Sequence, residues 1–127
     1  NKSILQLLEH FEKIVITISV DGIAKVGEYI RFPLNWETFE KNVDILLQQK
    51  HIYTAVNCTK SQLNAEHIDT LLDWCKEKGL TDVDINDLTD PSILAVGSPR
   101  SELITWLTAL DNHRGTDSKS ALPWIYE

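Results

Sequence analysis

Polar side chains stand at the ends of strand-like apolar segments in this chain, and they are the residues whose types and spacing could bind a ligand. The first such segment, residues 14–22, has branched apolar residues at alternate positions and becomes polar toward its end, and a second at 51–58 does the same. Polar groups at the carboxyl end of a buried strand usually serve a ligand. A guanidinium group pairs with carboxylates, and hydroxyl and amide groups both donate and accept hydrogen bonds. The candidate residues are Ser19, Asp21, Arg31, Asn57 and Thr59.

Three of the five candidates also have a plainer interpretation. Ser19 and Asp21 fit an ordinary strand end that runs into an Asp-Gly turn. Arg31 fits a solvated position in the long connection at 23–34. The residue pattern leaves both interpretations open.

Other residues that bind metals or act as nucleophiles form no recognisable motif. Cys58 and Cys75 lie seventeen positions apart, which fits no metal-ligand spacing, and we expect both to be reduced core thiols. The four histidines share no ligand spacing, and neither a phosphate-binding loop nor a nucleophile elbow is present. We therefore predict no metal ligand and no catalytic residue in this chain.

The acidic stretch at 82–86 begins like a calcium-binding loop but departs from it. The sixth position is Asp87 where such loops have Gly, and the twelfth is Ile93 where they have Glu. Val83 and Ile85 between the acidic residues fit a strand, which is the interpretation we favour.

Composition restricts the class of partner. The chain has 127 residues, a formal charge of −7 and 43% apolar residues, as expected for one globular domain with a core. The negative charge disfavours nucleic acid and anionic membranes as partners. No apolar run is long enough to span a membrane and no signal-peptide pattern opens the chain, so we expect a cytoplasmic location. Methionine is absent even at position 1, so we expect a trimmed sequence or part of a longer one.

Hydrophobic periodicity predicts alternating strands and helices. We expect Asn35 and Asn64 to cap helices, Gly79 to end one, and Ser98 with Pro99 to open the last, while the tail from 112 docks through residues 122–125. The predicted helices cover 3–13, 35–50, 64–78 and 98–111, and the predicted strands cover 14–22, 51–58 and 82–88.

Three repeated strand-helix units predict an α/β fold with a parallel sheet and right-handed crossovers. Three parallel strands leave two bare edges, and a second face that carries polar residues resembles the lumen of a barrel. We therefore predict a single α/β domain over 1–127 that resembles part of a TIM-type barrel.

Several short motifs, in this order and spacing, resemble the second half of radical S-adenosylmethionine proteins of the twitch-containing type. They are Ser-x-Asp-Gly at 19–22, Tyr-Ile-Arg at 29–31, the run at 56–64 that ends in Asn, Asn-Asp-Leu-x-x-Pro at 86–91, and Leu-Asp-x-x-Arg-Gly-Thr at 110–116 followed by Pro123. The resemblance implies that Ser19 and Asp21 face the ribose or methionyl group of S-adenosylmethionine. It also implies that Arg31 holds a carboxylate, and that Asn57 and Thr59 line the same pocket.

The chain departs from that family at the residues that bind its metal cluster. Such enzymes hold a [4Fe-4S] cluster with a Cys-x3-Cys-x2-Cys motif, and a Gly-Gly-Glu-Pro type motif contacts the methionyl amine; neither is present. We therefore expect no catalysis by this chain alone. Either it is the carboxyl-terminal part of a radical enzyme, partnered by the amino-terminal half, or it is a relative that has lost the chemistry.

Two further hypotheses remain. One is a stand-alone α/β module that binds a protein partner or a second copy of itself through exposed sheet edges. The other is a degenerate pocket that still binds a nucleoside without reacting.

Overall fold

The chain alternates strands and helices around one small sheet. The computed structural model describes residues 2–127, with side chains from residue 4 onward. The strands are β1 (Ile14–Ser19), β2 (Ile52–Lys60) and β3 (Val83–Asp87), and the α-helices are α1 (Lys2–Leu8), α2 (Ala24–Ile30), α3 (Trp36–Leu47), α4 (Ile68–Lys78), α5 (Arg100–Arg114) and α6 (Ser118–Ala121). Short 3₁₀ helices occupy Ala65–His67, Ser92–Leu94 and Pro123–Tyr126.

The three strands form a parallel sheet in the order β1-β2-β3, which confirms the predicted α/β class and strand direction. In the register, Ser19 lies opposite Asn57, and Asn57 lies opposite Asp84. Because all strands run the same way, their carboxyl ends meet at one edge of the sheet. The polar ends of the three strands are therefore gathered along that edge.

Helices cover only one face of the sheet. An apolar cluster on that face contains Val56 and Cys58 from β2, Val43 from α3, and Leu71 and Trp74 from α4. Along β1 the odd-numbered residues are exposed and the even-numbered ones are half-buried, as an alternating strand with one covered face requires. The opposite face stays open, with Val15 70% and Tyr53 54% exposed.

A second apolar cluster lies beyond the carboxyl edge of the sheet. It joins Val26 and Tyr29 of α2 to Leu103 and Leu107 of α5, and it includes Leu122 and Ile125 of the tail. Leu122 and Ile125 are almost fully buried, so the predicted docking of the tail is confirmed. This cluster fixes the helices that flank the strand ends.

The connection at 23–34 is not the loop that we predicted, because α2 occupies Ala24–Ile30. Its residues are weak helix signals: Ile23 offers no side-chain cap, and Gly27 lowers helix propensity. Packing replaces those signals, since Val26, Gly27 and Tyr29 are buried in α2. Tertiary packing therefore determines that this segment is helical.

Several predicted boundaries were also wrong. α1 ends at Leu8, five residues early, and its apolar residues Ile4 and Leu7 stay mostly exposed. β1 ends at Ser19, whereas β2 continues to Lys60. In α4, Leu72 is exposed and Trp74 is buried in the core.

The helix signals divide into confirmed and wrong ones. The side chain of Asn35 accepts the N–H of Thr38 and caps α3, and Gly79 ends α4 in the left-handed conformation. Ser98 and Pro99 do precede α5, but the Ser98 hydroxyl donates to the carbonyl of Ser92 and caps no helix. Among the described residues, no helix combines the length and apolarity needed to cross a membrane.

Candidate functional site

The turn after β1 brings three of the predicted site residues into direct contact. Oδ1 of Asp21 accepts the backbone N–H of Thr59 at 2.9 Å, and Oδ2 meets Nε of Arg31 at 2.9 Å. The Asp21 side chain is 7% exposed and that of Arg31 is 41% exposed. Asp21 is thus buried with a partner for each of its carboxylate oxygens, and Arg31 is the member of the ion pair that is exposed to solvent.

The guanidinium of Arg31 is bound on one side only. Nε is occupied by Asp21, while Nη1 and Nη2 make no hydrogen bond to any described residue. A guanidinium offers its donors in a planar fork that matches a carboxylate. Asp21 therefore orients Arg31 and leaves its outer edge free to bind an anionic group.

Asn64 fastens the ends of β1 and β2 to each other. Its Nδ2 donates to the carbonyl of Asp21 at 2.8 Å and to that of Thr59 at 2.9 Å, and its Oδ1 accepts the N–H of Ser61 at 2.9 Å. Asn64 is fully buried. We predicted Asn64 as a helix cap, and that was wrong: a 3₁₀ turn begins after it, and its side chain caps no helix.

Two glycines allow α2 to pack against the turn, which sets the position of Arg31 directly after the helix. A Cβ on Gly27 would lie 2.2 Å from the carbonyl oxygen of Gly22, and a Cβ on Gly22 would lie 2.5 Å from Cγ1 of Val26. Neither position has room for a side chain. The Asp-Gly pair is therefore required by close backbone approach, beyond the ordinary turn preference we recognised in the sequence.

The open face of the sheet carries a second polar group at the same edge. Ser19 is exposed and lies beside Asn57, and Thr59 follows on the same face two residues later. Oδ1 of Asn57 accepts Nδ2 of Asn86 at 2.7 Å, so two amides from neighbouring strands hold each other in place. The side-chain NH₂ group of Asn57 and the side-chain amide oxygen of Asn86 remain free to face solvent.

The five predicted residues therefore fall into two adjacent sets, Asp21 with Arg31 at the turn and Ser19 with Asn57 on the open face, joined through Thr59. Sequence reasoning missed Asn64 and Asn86 as members of the site. Asn86 occupies one of the alternating polar positions of the third strand, and this pattern could have identified it as a member of the site. The cross-linking role of Asn64 had no local signal, because its partners lie 43 residues upstream and 5 residues upstream.

The two cysteines are buried thiols, as predicted, and they do not suit an iron–sulfur cluster. Both are free, and both belong to the apolar cluster under the sheet. Burial raises the pKa of Cys58 to about 11, with a smaller contribution from the Asp21 charge, and burial raises the pKa of Cys75. Cluster ligation needs thiolates gathered on one site. In the described part of the chain, no three His, Cys, Asp or Glu side chains are grouped to hold a metal ion.

Comparison of the chain with models of protein families, with curated proteins and with solved structures finds no match. Function is therefore inferred from the geometry of the site and from the motifs of the sequence.

Proposed function

We propose that this chain supplies the carboxyl-terminal half of an S-adenosylmethionine pocket in a radical S-adenosylmethionine protein, with its sheet forming three strands of a partial barrel. The observation that carries the proposal is the Asp21–Arg31–Thr59 arrangement beside Ser19 and Asn57. It joins, at one sheet edge, motifs that resemble that family and are far apart in the sequence. Ligands of parallel α/β folds bind at this edge.

Two parts of S-adenosylmethionine, the methionyl carboxylate and the ribose, have chemically suitable partners here. The free edge of Arg31 suits the methionyl carboxylate. The Ser19 hydroxyl and the amide of Asn57 suit the ribose hydroxyls, which both donate and accept hydrogen bonds. Asp21 acts through Arg31 and Thr59 in this proposal, because both of its oxygens are already engaged.

The open face of the sheet supports the barrel part of the proposal. Parallel sheets are ordinarily covered on both faces, yet here Val15, Tyr53 and the polar strand ends are exposed. A lumen lined by further strands would cover this face. The cluster-binding cysteines would belong to that other half, so this chain alone does not perform the radical chemistry.

The test is a titration of the chain with S-adenosylmethionine, followed by amide chemical shifts. We expect shifts concentrated at residues 19–21, 31 and 57–59, and weaker binding in Ser19→Val and Asn57→Leu. Thr17→Val is the matched control, since Thr17 is exposed on the same face of β1, two residues earlier. Equal binding by all three variants, or no binding by a folded chain, would count against the proposal.

The exposed apolar residues of the open face favour a second candidate function, an interaction module that pairs with a second copy of itself. Val15 is 70% exposed on an edge strand, and an unpaired parallel edge is a template for another chain. Sedimentation equilibrium tests this candidate. A dimer that dissociates in Val15→Lys would support it, and a monomer at all concentrations would exclude it.

A further inference from the structure

A cavity of about 260 Å³ lies between the carboxyl ends of the strands and helix α5. Thr59 and Ser61 line it from the end of β2, and Trp106, Leu110 and Arg114 line it from α5. Most of its wall is apolar. Because an engineered apolar cavity of about 150 Å³ holds benzene, a cavity of this size holds a body of roughly ten non-hydrogen atoms.

Ser61 places a hydrogen-bond donor in this wall without a partner. The residue is 4% exposed, and its Oγ accepts the N–H of Leu63 at 3.1 Å. Its hydroxyl proton finds no acceptor in the part of the chain whose side chains the structure describes. A buried donor that stays unpaired destabilises the folded chain, so a ligand that offers an acceptor would recover that free energy.

Arg114 places a cation in the same wall. One of its Nη1 hydrogens goes to the carbonyl of Tyr29 at 2.9 Å, and its guanidinium carbon lies 5.7 Å from the Tyr29 ring centroid and 5.0 Å from that of Phe32. These contacts fix the orientation of the Arg114 guanidinium group. Its remaining N–H groups have no acceptor in the described chain.

Asp21 also borders the cavity, but its charge is matched by Arg31 at 2.9 Å. The Thr59 hydroxyl and the Trp106 indole N–H also line the wall and donate to no described residue. Among these donors Arg114 carries the positive charge, and the Ser61 hydroxyl is the most buried. A carboxylate accepts from both types of donor, and the apolar wall requires a compact hydrocarbon body behind it.

We infer that this cavity binds a small carboxylate with an apolar body of about ten non-hydrogen atoms, its carboxylate on Ser61 and Arg114 and its body against Trp106 and Leu110. This inference does not rest on binding of S-adenosylmethionine: the cavity shares Asp21 and Thr59 with the candidate site, but the proposed donors Ser61 and Arg114 belong to neither of its two sets.

The probe is 3-phenylpropionate, titrated into the full chain and followed by the indole N–H resonance of Trp106 and the amides around the cavity. The matched ligand is 3-phenylpropanol, which has the same body without the charge. We expect saturable binding in the millimolar range or tighter, with the alcohol weaker by about tenfold. Leu88→Phe fills the cavity from the end of β3 and should abolish binding while the amide spectrum remains that of the folded chain.

Three results would overturn the inference. They are the absence of saturable shifts with 3-phenylpropionate, equal affinity for the acid and the alcohol, and unchanged binding by folded Leu88→Phe. Because S-adenosylmethionine is absent from this experiment, its outcome is separate from that of the proposed function.

Discussion

Asp21→Asn isolates the contribution of the buried carboxylate at the turn after β1. The substitution preserves shape, and Asp21 is 5% exposed, so packing changes little. It removes the charge that faces Arg31 and replaces one oxygen by an NH₂ group. In either amide orientation that NH₂ group meets another donor, either Nε of Arg31 or the N–H of Thr59.

The expected loss follows from these two changes. The ion pair with Arg31 is half open to solvent, so its loss costs about 1 kcal/mol. The donor that loses its acceptor costs about 1 kcal/mol more. Together they lower the free energy of unfolding by about 2 kcal/mol, which lowers the midpoint of urea unfolding by about 1 M for a typical denaturant m value.

Urea unfolding of four proteins tests this reasoning: the parent chain, Asp21→Asn, Arg31→Met and the double variant. Arg31→Met should cost about 1 kcal/mol in the parent and close to nothing beside Asp21→Asn, because the charge it pairs with is gone. If Arg31→Met has the same cost in both backgrounds, the two side chains are not coupled and the ion pair at the turn is refuted as a source of stability.

Three further predictions concern the supports of the site. Gly27→Ala should lower the free energy of unfolding by more than about 3 kcal/mol in thermal or urea unfolding, because its Cβ would lie 2.2 Å from a backbone oxygen. Gly79→Ala has open space at φ +79° and should lower it by only about 1 kcal/mol. Equal losses in the two variants would contradict this. Burial lowers the pKa of His67, whose Nε2 accepts the N–H of Ile23 at 3.3 Å, so its stabilisation is full above pH 6.5 and is lost as pH falls through the lowered pKa. Hydrogen exchange of the Ile23 amide should therefore speed up on acidification in the parent, beyond the intrinsic trend, and not in His67→Gln; identical pH profiles would contradict this. Burial opposes ionisation of Asp111, but hydrogen bonds from hydroxyl groups outweigh it and lower the pKa of Asp111 below 3.8. The ionised Asp111 therefore stabilises the fold until the pH falls through that lowered pKa, and Asp111→Asn should remove this stabilisation. Parallel acid-unfolding curves of the parent and the variant would argue against it.

The parallel sheet and the position of its polar edge could be predicted from sequence because both follow from local patterns. Alternating branched residues in β1 and β2 predict strands, and helices between them imply parallel pairing. The alternation also predicts a sheet face that carries polar residues, and Ser19 and Asn57 lie as neighbours on that face.

The remaining features depend on contacts between residues far apart in the chain. α2 forms because Gly22 and Gly27 approach closely and Tyr29 is buried against α5, and none of these contacts leaves a periodic signal. Asn64 has the composition of a cap, but its amide is used across the strand ends. Long-range hydrogen bonds of this kind compete with capping, and only the folded chain shows which prevails.

The most direct test of the central claim is a calorimetric comparison of S-adenosylmethionine with its decarboxylated analogue, on the parent chain and on Arg31→Met. We predict that the parent binds S-adenosylmethionine more tightly than the analogue by about tenfold or more, and that Arg31→Met binds the two alike. A parent chain that binds neither ligand, or an Arg31→Met variant that keeps the parent's preference for the carboxylate, would contradict the claim.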